Sequence, residues 1–146
     1  MNPDPGATRI RPMTAADLDR VIEIAQNLKQ APHWPRSVYL AALDRLAVPR
    51  RIALVAEAMG TGAVAGFAVA CLLVGTAPLE AELETIAVAA NFQRRGVARQ
   101  LFQALAGELR SAKATAVILE VRTSNTAAQA LYRSLGFVEA GRRPRY

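Results

Sequence analysis

Residues 93–98 read QRRGVA and fall between the apolar run ETIAVAANF and the helical pattern RQLFQALAGELR. A strand that passes through a glycine-bearing turn into a helix leaves the first amides of that helix without intrahelical acceptors. Those amides and the positive end of the helix dipole make a site for an anion. Gly96 and Ala98 keep bulky side chains off the turn, while Arg94, Arg95 and Arg99 bring positive charge to it. A diphosphate suits the turn better than a monophosphate, because successive amides can serve more than one oxygen. The phosphate loop G-x-x-x-x-G-K-[ST] is absent, and so is the glycine triplet of the dinucleotide fingerprint. Taken alone, the six residues also fit a plain helix cap beside two solvated arginines.

The elements that must position this turn follow from the pattern along the chain. TRIRP (8–12) reads as a short strand. Thr14, with Asp17 three residues on, opens a helix over 14–30 in the manner of a capping box, and Leu18, Val21, Ile22, Ala25 and Leu28 keep helical spacing. APHWP breaks that pattern before a second helix over 36–47. Strands are expected over 51–58 and 62–75, joined as a hairpin by the turn MGTG, and again over 79–89. A helix over 95–112, a strand over 116–122, a helix over 124–136 ended by Gly136, and a short strand over 137–141 complete the series. The order βααβββαβαβ is that of one α/β domain spanning 1–146, with a mixed sheet and helices on both faces.

Composition narrows the partners. The chain of 146 residues is long enough for one core, and with 52% hydrophobic residues it does not read as disordered. The longest apolar stretch, 63–77, falls short of the roughly 20 residues of a membrane span and reads as a buried strand. The first twelve residues, MNPDPGATRIRP, have no apolar core of the kind a signal peptide carries. Cys71, the one cysteine, lies in the apolar strand and reads as packing in a reducing compartment, so the expected location is the cytoplasm. A net charge of +6 fits a nucleic acid, a ribosomal surface or a polyphosphate ligand. Aromatic residues make up 5% of the chain, too few for stacking platforms, so no direct nucleic-acid contact is expected; nor is a membrane or a metal.

Two segments together resemble the GCN5-related N-acetyltransferase superfamily. Its diphosphate loop, Q/R-x-x-G-x-G/A, fits QRRGVA, which here follows Ile86-Ala87-Val88. LEVRTSNTAAQALYRSLGF (119–137) is similar to the matching segment of bacterial ribosomal-protein alanine N-acetyltransferases. The resemblance implies transfer of an acetyl group from acetyl-CoA to an amine, in a fold whose parallel strands, here 79–89 and 116–122, splay apart around the cofactor. It places the pantetheine on the backbone of Ile86, Ala87 and Val88, and the diphosphate on Arg94, Arg95, Gly96, Val97, Ala98 and Arg99. It makes Tyr132 the general acid toward the departing thiolate, against a plain core role on the stripe Ala128, Leu131 and Leu135. Asn125 is implied to touch the cofactor, although helix capping alone would account for it. Glu120 is the leading general base, and Glu82 is the competitor that histone-acetylating relatives suggest. Glu84 shares a face with Glu82 unless a β-bulge resets the alternation.

The acceptor is expected to be the N-terminal α-amine of a protein or peptide such as a ribosomal protein. At neutral pH roughly a tenth of such amines are uncharged, against less than about one lysine in a thousand, so one modest base suffices. The segment APHWPRSVY (31–39) is the expected acceptor wall, with His33, Trp34 and Tyr39 against the peptide. Related enzymes continue past the last short strand with an aromatic-rich turn and a further strand. This chain ends at GRRPRY, with Tyr146 at the start of that turn and the last strand missing, which implies a monomer or a dimer through an open sheet edge. A small-molecule amine acetyltransferase and a non-catalytic acyl-CoA-binding module are the alternatives.

Overall fold

Short apolar runs set off by glycine and proline turns build the sheet: β1 (Thr8–Pro12), β2 (Arg51–Ala58), β3 (Val64–Leu72), β4 (Glu80–Val88) and β5 (Ala116–Ile118). The structure is a computed structural model and describes residues 7–29 and 31–140. The strands lie side by side in sequence order, antiparallel from β1 through β4, with β5 parallel to β4. Helices α1 (Leu18–Gln26), α2 (Arg36–Ala42), α3 (Val97–Ser111) and α4 (Thr126–Ser134) complete the fold.

Helices cover the sheet on both sides, which is why eight of the nine residues of β3 are buried rather than every second one. Phe67 and Val69 face Leu18, Val21 and Ala25 of α1 and Tyr39 of α2. Ala68 and Ala70 face Leu101, Leu105 and Leu109 of α3, each leucine contributing about 1.5–3 kcal/mol by its burial. Gly66 takes this economy of volume furthest. A Cβ there would sit 2.7 Å from the carbonyl oxygen of Ala87 and 3.3 Å from Leu101 Cδ1, so glycine alone admits β4 and α3 at this distance.

Four local expectations are corrected. The first helix begins as a 3₁₀ turn at Ala15–Asp17, and α1 buries Ile24, leaving Ile22 only partly covered. The second helix stops at Ala42 rather than at 47. There Asp44 Oδ1 accepts the Leu46 amide at 2.9 Å, a side-chain turn that competes with helix continuation. β5 ends at Ile118 rather than at 122, because β4 supplies no partner beyond that point. Residues 137–140 form no strand, and 141–146, including Gly141 and Tyr146, lie outside the described residues. What replaces the strand start is a helix stop. The Phe137 amide donates to the carbonyl of Tyr132 at 3.1 Å and the Gly136 amide to Arg133 at 3.0 Å, with Gly136 at φ 100°. This pair of bonds is a Schellman motif, and its apolar contact is the edge-to-face meeting of the Tyr132 and Phe137 rings at 6.0 Å.

Candidate active site

β4 and β5 pair only at Glu80–Ala116, Ala81–Val117 and Glu82–Ile118, after which β4 runs on to Val88 alone on that side. The two parallel strands therefore diverge, and the β5-facing backbone of residues 83–88 offers ladder groups to an extended ligand. A bulge marks the point of divergence. Val69 pairs with Thr85 and Ala70 with Leu83, so Glu84 is the extra residue. Alternation changes accordingly: Ala81 and Leu83 pack toward α3, and beyond the bulge Ile86 and Val88 do, while Ala87 turns to the α1 side.

At the far end of β4 the backbone tightens into the QRRGVA turn. Gln93 Nε2 donates to the Val88 carbonyl at 3.0 Å and ties the turn to the strand. Arg94 (φ 64°) and Gly96 (φ 78°) both adopt the left-handed conformation, which glycine takes without strain and arginine does not. Buried Val97 anchors the start of α3, and the Gln100 amide closes the first turn on the Gly96 carbonyl at 3.0 Å. The amides of Val97, Ala98 and Arg99 then have no intrahelical acceptor and lie at the positive end of the helix dipole. The Arg95 guanidinium lies 5.8 Å over the Phe92 ring, and Arg99 Nη2 donates to the Ser134 carbonyl at 3.3 Å, which joins α3 to the end of α4. Gln93 was legible only as a motif letter; its side-chain tie to β4 has no sequence signature.

Carboxylates gather where the strands part. Glu82 is half-buried on β4 opposite Ile118, and Glu120 follows two residues beyond Ile118 on an exposed segment. Burial pushes the Glu82 carboxyl above its ordinary value; the negative charges of Glu84 and Glu120 add to this, and Arg51 opposes it. The bulge does not carry Glu84 away, since its charge still acts on Glu82. Glu84 instead reaches across β3 to Arg51 on β2, whose Nε donates to Oε1 at 2.7 Å and Nη2 to Oε2 at 3.5 Å.

Tyr132 sits on α4 against the α3 side of the core, held by the Schellman stop that places Phe137 on its ring. Burial raises its phenol above the usual value, so the hydroxyl keeps its proton at neutral pH. Asn125 caps α4, its Oδ1 accepting the Ala128 amide at 3.1 Å. Tyr39 is corrected as an acceptor-wall residue. It is fully buried, its ring set between Trp34 (5.3 Å) and Phe67 (6.0 Å). Trp34 is partly buried against the same core, and His33 Nε2 rests 3.2 Å from the Leu28 carbonyl. A cavity of about 360 Å³ opens between α3 and α4, lined by Arg99, Phe102, Gln103, Ala106, Arg110 and Leu135; no carboxylate and no tyrosine borders it, so the parting strands are the better place for group transfer.

Strands that part beside a helix start whose first amides lack intrahelical acceptors, with carboxylates in the fork, fit an acyltransferase, and the chain belongs to the acetyltransferase (GNAT) family, whose model matches residues 18–137. It is an N-acetyltransferase. Over its whole length it is 40% identical to the N-alpha-acetyltransferase RimI of Mycobacterium tuberculosis, spanning 88% of that protein. The crystal structure of the ribosomal-protein-S18-alanine N-acetyltransferase from Escherichia coli superposes with a TM-score of 0.72 at 32% identity, over 92% of this chain and 80% of that one. The aminoglycoside acetyltransferase AAC(6')-Iy, solved with the bisubstrate analogue CoA-S-monomethyl-acetylneamine, gives 0.75 at 27% identity, over 96% and 97% of the two chains.

Proposed function

We propose that the protein acetylates the N-terminal α-amine of a polypeptide, in the manner of the ribosomal-protein alanine acetyltransferases, with acetyl-CoA as donor. The observation that carries this reading is the fork itself, with an open strand backbone leading from an anion-binding turn to a pair of carboxylates. The residues present fit the donor. The amides of Val97, Ala98 and Arg99, shaped by the left-handed Arg94 and Gly96, would take the diphosphate, and Arg95 would add charge. The β4 backbone at Ile86, Ala87 and Val88 would take the pantetheine amides as an added strand, and Asn125 at the start of α4 would add a contact to the donor.

Once bound, the donor supplies a thioester carbonyl. The chain's residues then manage protons. Glu120 and Glu82 form the base pair at the fork, and the charge of Glu120 adds to the burial that raises the Glu82 carboxyl. One carboxylate of the pair takes the proton from the attacking amine, directly or through water. The Tyr132 hydroxyl, protonated at neutral pH, delivers a proton to the sulfur as it leaves. An α-amine is suited to this machinery because a useful fraction of it is already neutral.

The test is turnover with acetyl-CoA on three acceptors: a peptide with a free α-amine, the same peptide blocked at its N-terminus but carrying lysine, and an aminoglycoside. Mass spectrometry should place the acetyl group on the α-amine. Modification of only lysine or only the aminoglycoside would overturn the acceptor.

A further inference from the structure

The Arg51–Glu84 pair has no place in the chemistry just described, yet it spans three strands to reach the residue on which the fork turns. The register lines up Arg51 with Cys71 and Cys71 with Glu82, one row across β2, β3 and β4. Arg51 does not engage the carboxylate in its own row. It passes over β3 to the bulged residue, with Nε donating to Oε1 and Nη2 to Oε2 of Glu84, and the two side chains are only 25% and 16% exposed. A two-point contact of this kind fixes direction as well as charge.

Two consequences follow from that geometry. A bulged residue has no ladder partner to hold its side chain, so an exposed glutamate there would swing freely between the fork and solvent. With Arg51 holding it toward β2, Glu84 is turned away from β5. The second consequence is electrostatic. The charges of Glu84 and Glu120 both act on Glu82, and Cys71 on β3 and Arg51 on β2 are the other ionisable groups in the set. Arg51 is the cation of that set.

We propose that Arg51 is a positioning residue for acetyl transfer: by clamping Glu84 across β3 it holds the bulge in place and leaves Glu82 and Glu120 as the carboxylates that meet the incoming amine. The proposal rests on the reading of Glu82 and Glu120 as the base pair. Its role is indirect, since Arg51 touches the bulged glutamate and not the reacting atoms. Arg51 also opposes the burial and like charge that raise the Glu82 carboxyl, which favours its capacity to accept a proton.

The experiment reads the side-chain carboxyl carbon of Glu82 by NMR as pH is varied, in the folded full chain without acceptor. Arg51→Met should move the Glu82 midpoint upward by roughly half a unit, the size expected for losing one partly solvated opposite charge. Arg51→Lys keeps the charge and should leave the midpoint near the wild-type value. Glu84→Gln should lower it, and the Arg51→Met/Glu84→Gln double variant should return to or below wild type. In turnover, the acidic limb of the kcat/KM profile should follow the same order, with Arg51→Met several-fold slower at pH 6 and recovering at pH 9. An unmoved Glu82 midpoint in Arg51→Met, or a double variant displaced as far as the single one, would overturn the proposal. Should Arg51→Met not fold, Glu84→Gln alone decides, and a midpoint that fails to drop refutes it. Because the titration needs no turnover, an enzyme inactive on every amine would defeat the functional reading and leave this result standing.

Discussion

Gly96→Val concentrates the argument for the donor site in one atom group. Gly96 holds φ 78°, a conformation that costs an L residue about 1–2 kcal/mol and a β-branched one more. Space is not the obstacle, since a Cβ built there meets nothing within 4 Å. The strain must therefore be met in one of two ways. If the turn keeps its shape, the domain loses that stability, a drop of roughly 2–8 °C in melting temperature for a chain of this size. If the turn relaxes, the amides of Val97 and Ala98 lose their aim. Each hydrogen bond to a charged oxygen contributes about 1.5–3 kcal/mol, so losing two weakens the donor by about 3–6 kcal/mol, or roughly 10²–10⁴-fold in Kd. Titration calorimetry with acetyl-CoA and coenzyme A measures this directly, with circular dichroism as the folding control. Gly96→Asn, which tolerates the left-handed region, should lose far less. A folded Gly96→Val protein with both an unchanged melting temperature and wild-type affinity for both ligands would refute the placement of the diphosphate at this turn.

Other outcomes test the remaining parts. Tyr132→Phe should keep donor affinity and lower kcat by roughly 10²–10⁴-fold at all pH values, whereas the deficits of Glu120→Gln and Glu82→Gln should shrink as pH rises toward the amine's pKa; superimposable pH–rate profiles would end that division of labour. Gly66→Ala pushes a methyl group at the Ala87 carbonyl and at Val88 Cα, 3.3 Å away, so β4 must shift; overpacking of about 1–3 kcal/mol and weaker donor binding are expected, and unchanged affinity would show that the β4 backbone does not hold the donor. Hydrogen bonds from Arg11 at 2.8 and 2.9 Å, with help from the Thr14 amide, hold the Asp17 carboxyl below its usual value. That contribution is complete above the unfolded carboxyl's value near 4 and is lost as pH falls through the lower folded one, so the urea midpoint should decline in acid, and less steeply in Asp17→Asn.

Much of this was readable before any coordinates, for physical reasons that differ by element. β1 matches its expected bounds because Pro12 stops it, and β2 because arginines precede its apolar run and the turn MGTG follows it. The QRRGVA turn was legible because an anion site needs particular residue types at fixed spacing. The fork was harder. That β5 would end at Ile118 depends on where β4 leaves it, and that depends on a bulge no residue type announces. Tyr39 shows the same limit from the other side: a tyrosine in a loop-and-helix segment reads equally as wall or core until Phe67 and Trp34 are seen on either side of it. The Arg51–Glu84 clamp joins residues 33 positions apart on non-adjacent strands, a pairing with no local trace in the chain.

The extra residue in β4 also bears on how such a domain tolerates insertions and deletions. In a plain strand, removing one residue slides the register and can be absorbed at an end. Here the two halves of β4 present opposite parities to α3, with Ala81 and Leu83 before Glu84 and Ile86 and Val88 after it. Deleting Glu84 would bring Ala81, Leu83, Ile86 and Val88 into one unbroken alternation, so the apolar face on α3 would survive. What would go is the bulge, and with it the carboxylate that Arg51 reaches across β3. The packing alone is therefore compatible with a strand one residue shorter, and the consequence of losing the extra residue falls on the fork rather than on the core.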